Sequence, residues 1–124
     1  MSEVPKISII DDDELVLESM ECLILSLGYD VVTFASAEDF LTSSHVWGTS
    51  CLVTDVQMPG MTGVELQKRL IADGYHLPVI FMSGLSDEKI RASVVKTGAI
   101  GFLDKPVDVV CLVELLKKAL KGCS

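Results

Sequence analysis

Five short apolar runs, each separated from the next by a stretch of helical patterning, constrain this chain more than any other feature. They are Lys6 to Ile10, Asp30 to Phe34, Cys51 to Val56, Pro78 to Ser83 and Gly101 to Leu103. All read as strands, rich in β-branched and aromatic residues, and several are apolar almost without a break. A strand with one face in water alternates apolar and polar residues. One that is apolar throughout is covered on both faces, as in a parallel sheet. The segments between them have helical period and legible ends. Asp13 stands where it can cap the first helix, Val16, Met20, Leu23 and Leu27 fall on one face, and Gly28 stops it. Ser36 starts a shorter second helix. A third runs from about Gly63 to its stop at Gly74, and a fourth from Ser86 or Asp87 to Gly98. Pro106 is placed to open the last, which continues to about Lys121. Strand and helix alternate five times, which predicts right-handed crossovers and an α/β fold with a doubly wound parallel sheet.

The chain has 124 residues, 49% of them hydrophobic, enough for one domain with one core. Its net charge of -8 argues against this domain gripping a nucleic-acid backbone, which takes clustered lysine and arginine. No apolar run reaches the ~18 residues of a membrane span. The Met1-Ser2-Glu3-Val4-Pro5-Lys6 start lacks the pattern of a signal peptide, so the expected location is the cytoplasm. Cys22, Cys51, Cys111 and Cys123 form no C-x-x-C pair and have no histidine at metal-ligand spacing. The first three read as small hydrophobes in a reducing compartment.

In an open parallel sheet, ligands bind beyond the carboxyl ends of the strands. Strand one ends in Asp11, Asp12 and Asp13, strand three in Asp55, strand four in Ser83-Gly84, and strand five runs into Asp104-Lys105-Pro106. Asp13 is needed as a helix cap, and one cap suffices, which leaves Asp11 and Asp12 to be explained. Carboxylates brought together repel, and a hard cation such as Mg2+ relieves them. An Asp carboxylate so placed can attack phosphorus, a reaction that depends on positioning and charge neutralisation. Lys105 and the Ser83 hydroxyl can each contact a phosphoryl oxygen.

These residues bring the chain close to a known family. Ile9-Ile10-Asp11-Asp12-Asp13, the stretch from Thr54-Asp55 to Thr62-Gly63, Met82-Ser83-Gly84, and the stretch from Gly98-Ala99 to Lys105-Pro106 resemble the motifs of response-regulator receiver domains of two-component systems. The resemblance spans nearly the whole chain. It implies a flavodoxin-like (βα)5 fold with strand order 2-1-3-4-5. It implies Asp55 as phosphoacceptor, and Asp11, Asp12, Asp55 and the backbone carbonyl of Gln57 as a site for Mg2+, with Mn2+ as the alternative. Lys105 would pair with the phosphate, Ser83 and Phe102 would form the switch, and the Lys105-Pro106 bond would be cis. Such a domain is a signalling switch that catalyses its own phosphorylation and dephosphorylation, not an enzyme acting on an outside substrate. Its expected partner is a sensor histidine kinase, because His45, in a polar loop, and His76, just before a strand, make poor phosphohistidines.

Within the family the chain is most similar to the FixJ-type receivers of nitrogen-fixation regulators, through Ser36-Ala37-Glu38-Asp39-Phe40-Leu41 and Gly63-Val64-Glu65-Leu66. Those pair a receiver with a C-terminal helix-turn-helix, so residues 1–124 are expected to be the receiver of a longer transcription regulator, without its output domain. Two features depart from the wider pattern. Ile100-Gly101 stands where winged-helix regulators carry acidic residues, and Val107 replaces a phenylalanine. A phosphorylation-promoted homodimer is expected through Ile90, Val94, Val109, Val110 and Val113, since Leu112, Leu115, Leu116 and Ala119 suffice to bury the last helix. Two other functions share parts of this pattern. An aspartyl phosphatase wants an acid two residues past the nucleophile, where this chain has Gln57. A flavin module wants phosphate donors after strand one, where this chain has three aspartates. A receiver-like domain that is never phosphorylated would have no use for the intact acid, hydroxyl and lysine set.

Overall fold

The structure is a computed structural model that describes residues 4–84, 89, 91–92 and 96–121. Five parallel strands, β1 (Lys6–Ile10), β2 (Asp30–Phe34), β3 (Cys51–Asp55), β4 (Val79–Ser83) and β5 (Gly101–Asp104), form one sheet in the order β2-β1-β3-β4-β5. The α/β, doubly wound arrangement expected from the alternation is the one observed. Every residue of β3 and β4 is buried, as their unbroken apolar character requires.

Alternate side chains of each strand feed two cores, one on each face of the sheet. On one face Ile7, Ile9, Cys51, Val53, Ile80 and Met82 pack against α1 (Glu14–Ser26) and the C-terminal helix (Val109–Lys121). On the other face Ile10, Leu52, Val79 and Phe81 meet α2 (Ala37–Thr42) and α3 (Gly63–Ala72) through Ala37, Phe40, Leu66 and Leu70. Each fully buried Leu, Ile or Phe contributes roughly 1.5–3 kcal/mol before chain entropy is counted.

The ends of the elements have local causes. Asp13 caps α1 by accepting the Leu15 N–H, and Ser36 caps α2 by accepting that of Asp39. Thr62 and Glu65 close a reciprocal capping box on α3. Gly28 and Gly74, with φ of 95° and 88°, supply the left-handed residues that end α1 and α3.

Several expectations shift. β3 stops at Asp55 rather than Val56, and β4 begins at Val79 rather than Pro78. Pro78 has no N–H to give the ladder, although its carbonyl accepts from Leu52. β5 gains Asp104, which stands in register with Ser83. The buried stripe of α1 is Leu17, Met20 and Ile24, with Val16 and Leu23 at its flank and Leu27 exposed. That one-residue offset turns Cys22 to solvent. Cys111 is exposed as well, so of the three cysteines read as core only Cys51 is buried. Pro106 does not open the last helix. Asp108 does, accepting the Val110 N–H on its side chain and the Leu112 N–H on its carbonyl, so the helix begins at Val109. The expected start of the fourth helix at Ser86 or Asp87, and Cys123, lie outside the described residues. Among the described residues no helix is long and apolar enough to cross a membrane.

Candidate functional site

The sheet carries Asp11, Asp55, Ser83 and Lys105 to the same edge, because all five strands point one way. β1 ends one residue before Asp11, whose N–H is held by the Phe34 carbonyl at 3.1 Å. Asp55 and Ser83 are the last residues of β3 and β4. Lys105 follows β5, and its N–H donates to the Ser83 carbonyl at 2.9 Å. The Lys105–Pro106 peptide bond is cis.

The Lys105 ammonium bridges two carboxylates. Its Nζ lies 2.6 Å from Asp11 Oδ2 and 3.0 Å from Asp55 Oδ2. The remaining oxygens are also fixed: Asp11 Oδ1 accepts the Asp13 N–H at 2.9 Å, and Asp55 Oδ1 accepts the Gln57 N–H at 3.2 Å. Asp12 completes the set, and one carboxylate oxygen from each of Asp11, Asp12 and Asp55 lies within 4.8 Å of the others. Asp11 is fully buried, Asp55 nearly so, and Asp12 is exposed. The pocket is therefore a closed floor with one acid at its solvent rim. Gln57 is exposed, and Ser83 is buried.

Electrostatics follow from this burial. Loss of solvent pushes the Asp11 carboxyl above its ordinary 3.8, against the opposing pull of Lys105 and the Asp13 N–H. Burial would lower the Lys105 ammonium, but its hydrogen bonds to Asp11 and Asp55 outweigh that and hold it above 10.5. Lys105 stays charged across the physiological range. Three carboxylates against one ammonium leave two negative charges uncompensated in this cluster. A hard divalent cation bound through oxygen ligands fits that donor set.

The backing of Asp55 leaves no slack. A Cβ on Gly63 would sit 2.4 Å from the Asp55 carbonyl oxygen and 3.1 Å from the Phe81 ring, so only glycine lets the start of α3 approach this closely. Phe102 stands beside Phe81 in the sheet register and is half-buried at the rim of the second core. Sequence reasoning missed the closeness of Gly63 and missed Arg91, whose guanidinium lies over the Phe102 ring. It also passed over the capping box, which Thr62-x-x-Glu65 spells out. Of the expected dimer face, Val109 and Val110 are exposed and Val113 is half-buried, while Ile90 and Val94 lie outside the described residues.

Residues 7–117 match the family described as the response regulator receiver domain. The chain is 39% identical over 120 residues to the transcriptional regulatory protein FixJ of Azorhizobium caulinodans, covering 97% of this chain and 57% of that one. It is 38% identical over 115 residues to the response regulator protein TodT of Pseudomonas putida, covering 93% and 51%. The chain thus spans about half the length of these relatives. Among solved structures it superposes on FixJ-N with a TM-score of 0.85 at 31% identity, covering 98% of this chain and 96% of that one. It superposes on the response regulator StyR with a TM-score of 0.87 at 35% identity, covering 96% and 60%.

Proposed function

The chain belongs to the response regulator receiver domain family, a signalling switch of two-component systems, and from that premise we propose that Asp55 is its phosphoacceptor. The observation that carries this reading is the Lys105 bridge between Asp11 and Asp55, with its two surplus negative charges. An Asp55 carboxylate oxygen attacks the phosphorus of a phosphohistidine on a separate kinase. The new P–O bond forms as the P–N bond breaks, and the imidazole leaves with the electron pair. Lys105, already held between the carboxylates, shifts its hydrogen bond from Asp55 to a phosphoryl oxygen. The Ser83 hydroxyl donates to another. Asp11, Asp12, Asp55 and the Gln57 carbonyl would hold Mg2+, with Mn2+ able to replace it. That ion, when bound, offsets the carboxylate charge and the charge on the phosphoryl oxygens.

The rest of the switch follows from the same site. Engagement of Ser83 draws the loop after β4 toward Asp55 and frees space into which Phe102 turns. The output is transcription, by analogy with the relatives named above, through a domain beyond residues 1–124. The setting is the cytoplasm, and the domain does not itself bind nucleic acid or membrane. Gln57, two residues past Asp55, has an amide too weakly acidic to protonate a leaving group, which sets the aspartyl phosphatase reading aside.

Incubation with acetyl phosphate and Mg2+ followed by intact mass measurement tests the assignment. One phosphoryl mass is expected, absent from Asp55→Asn, and Asp12→Ala should weaken Mg2+ binding in calorimetry. The same adduct in Asp55→Asn would move the site elsewhere. Val109, Val110 and Val113, with Ile90 and Val94, form the dimer face of the phosphorylated state. Sedimentation velocity with beryllofluoride should show a dimer, and a chain monomeric at high micromolar concentration with and without it would exclude self-association.

A further inference from the structure

Arg91, itself helical, joins the crossover that precedes β5 to the strand that ends at Asp104. Its guanidinium carbon lies 4.8 Å from the centroid of the Phe102 ring, and its Nη2 donates to Asp104 Oδ2. Phe102 and Asp104 are two residues apart on β5, so their side chains leave the same face of the sheet. A planar guanidinium can lie flat over a ring while its N–H groups reach sideways to a carboxylate. The two contacts therefore reinforce one another, and a lysine could make only one of them well. Asp104 stands opposite Ser83 in the register, and the next residue, Lys105, donates its N–H to the Ser83 carbonyl. The clamp thus touches the ring at one point and, at the other, the last residue of β5, next to Lys105.

We propose that Arg91 is a positioning residue that holds the Phe102 ring in the place it occupies before Asp55 is phosphorylated, and that the stack must break for the ring to move. This rests on the reading of Ser83 and Phe102 as the switch. A contact biases a two-state element only if it is made in one state and lost in the other, and a ring stacked under Arg91 meets that condition. At half-exposed positions a cation–ring stack and an ion pair are each worth a factor of about two to five in such a ratio. Losing both should shift it about ten-fold, and losing the stack alone about three-fold.

Two measurements test the latch, on variants whose folding is checked by thermal unfolding. Three-bond couplings of Phe102 in isotope-labelled protein without phosphoryl ligand report its χ1 rotamer. One rotamer is expected in the wild type, and a mixture in Arg91→Ala, with Arg91→Lys between them. Titration with beryllofluoride and Mg2+ should show half-saturation about ten-fold lower in Arg91→Ala and about three-fold lower in Arg91→Lys. In a Phe102→Leu background the stack is already gone, so the effect of Arg91→Ala should fall from about ten-fold to about three-fold, the share of the Asp104 ion pair. A ring that stays in one rotamer in a folded Arg91→Ala or Arg91→Lys chain overturns the proposal, as does an Arg91 effect of equal size in Phe102→Leu. A wild-type chain that binds no beryllofluoride would instead sink the Asp55 assignment, and the rotamer measurement would still decide the latch.

Discussion

The two ends of the sheet both bury polar side chains, and they do so on opposite terms. At the amino end the Ser8 and Thr49 hydroxyls meet at 2.6 Å, and Thr49 donates to the His45 carbonyl at 2.6 Å. Nearby the Ser50 hydroxyl accepts the Lys6 N–H at 3.2 Å. That network is uncharged at its buried members and closes on itself. At the carboxyl end Asp11, Asp12 and Asp55 face one Lys105 and are left short of positive charge. A closed neutral network specifies packing, whereas a partly buried cluster with surplus charge carries a cost that a ligand can relieve. The contrast separates a structural polar cluster from a functional one without reference to any relative.

Substitutions at the two ends should therefore have opposite signs. The largest effect is expected at the amino end. Thr49→Val keeps the shape of the side chain but leaves the buried Ser8 hydroxyl without its partner, at a cost of about 2 kcal/mol in urea unfolding. Phosphoryl uptake at the far end should be unchanged. A loss below the error of the measurement would mean that the Ser8–Thr49 bond is dispensable and the contrast overstated.

A smaller effect of opposite sign is expected from Asp11→Asn. The asparagine oxygen can still accept the Asp13 N–H, and Lys105 keeps Asp55. Because burial raises the Asp11 carboxyl above 3.8, its ionised form is penalised in the folded chain, and that penalty sets in as pH rises through the folded value. Neutralising the group should stabilise the fold at neutral pH by about 1 kcal/mol while Mg2+ binding is lost. Destabilisation at neutral pH would show that Asp11 is held for the fold.

The smallest effect concerns the helix behind the acidic end. Glu65 accepts the Thr62 N–H at 3.0 Å, and that bond, with a second from the Thr62 side chain, holds its carboxyl below 4.5. A lowered carboxyl contributes stability that is present above pH 4.5 and lost as pH falls through the folded value. Glu65→Gln keeps an acceptor but does not titrate, so it should flatten the acid limb of the stability profile and change little at neutral pH. An unaltered acid limb would remove the capping box from the list of acid-sensitive contacts.

What the sequence determined by itself was local or periodic. β1 and β2 begin and end where their apolar runs do, Asp13 and Ser36 cap the helices they precede, and the acids, hydroxyl and lysine fall at strand ends because parallel strands all point one way. Only the tertiary structure decided matters that depend on how distant segments meet. The face of α1 that turns inward is offset by one residue, because its rotation is set by the sheet beneath it and not by its own pattern. Asp11 is sealed while its neighbour Asp12 is open, because the chain turns between them from strand to helix cap. Gly63 must be glycine for a contact with Asp55, and Arg91 reaches Phe102 and Asp104 across the crossover to β5. Periodicity records which side of an element is apolar. It holds no information about the distance to a side chain on another element, which the packing of the crossovers alone sets.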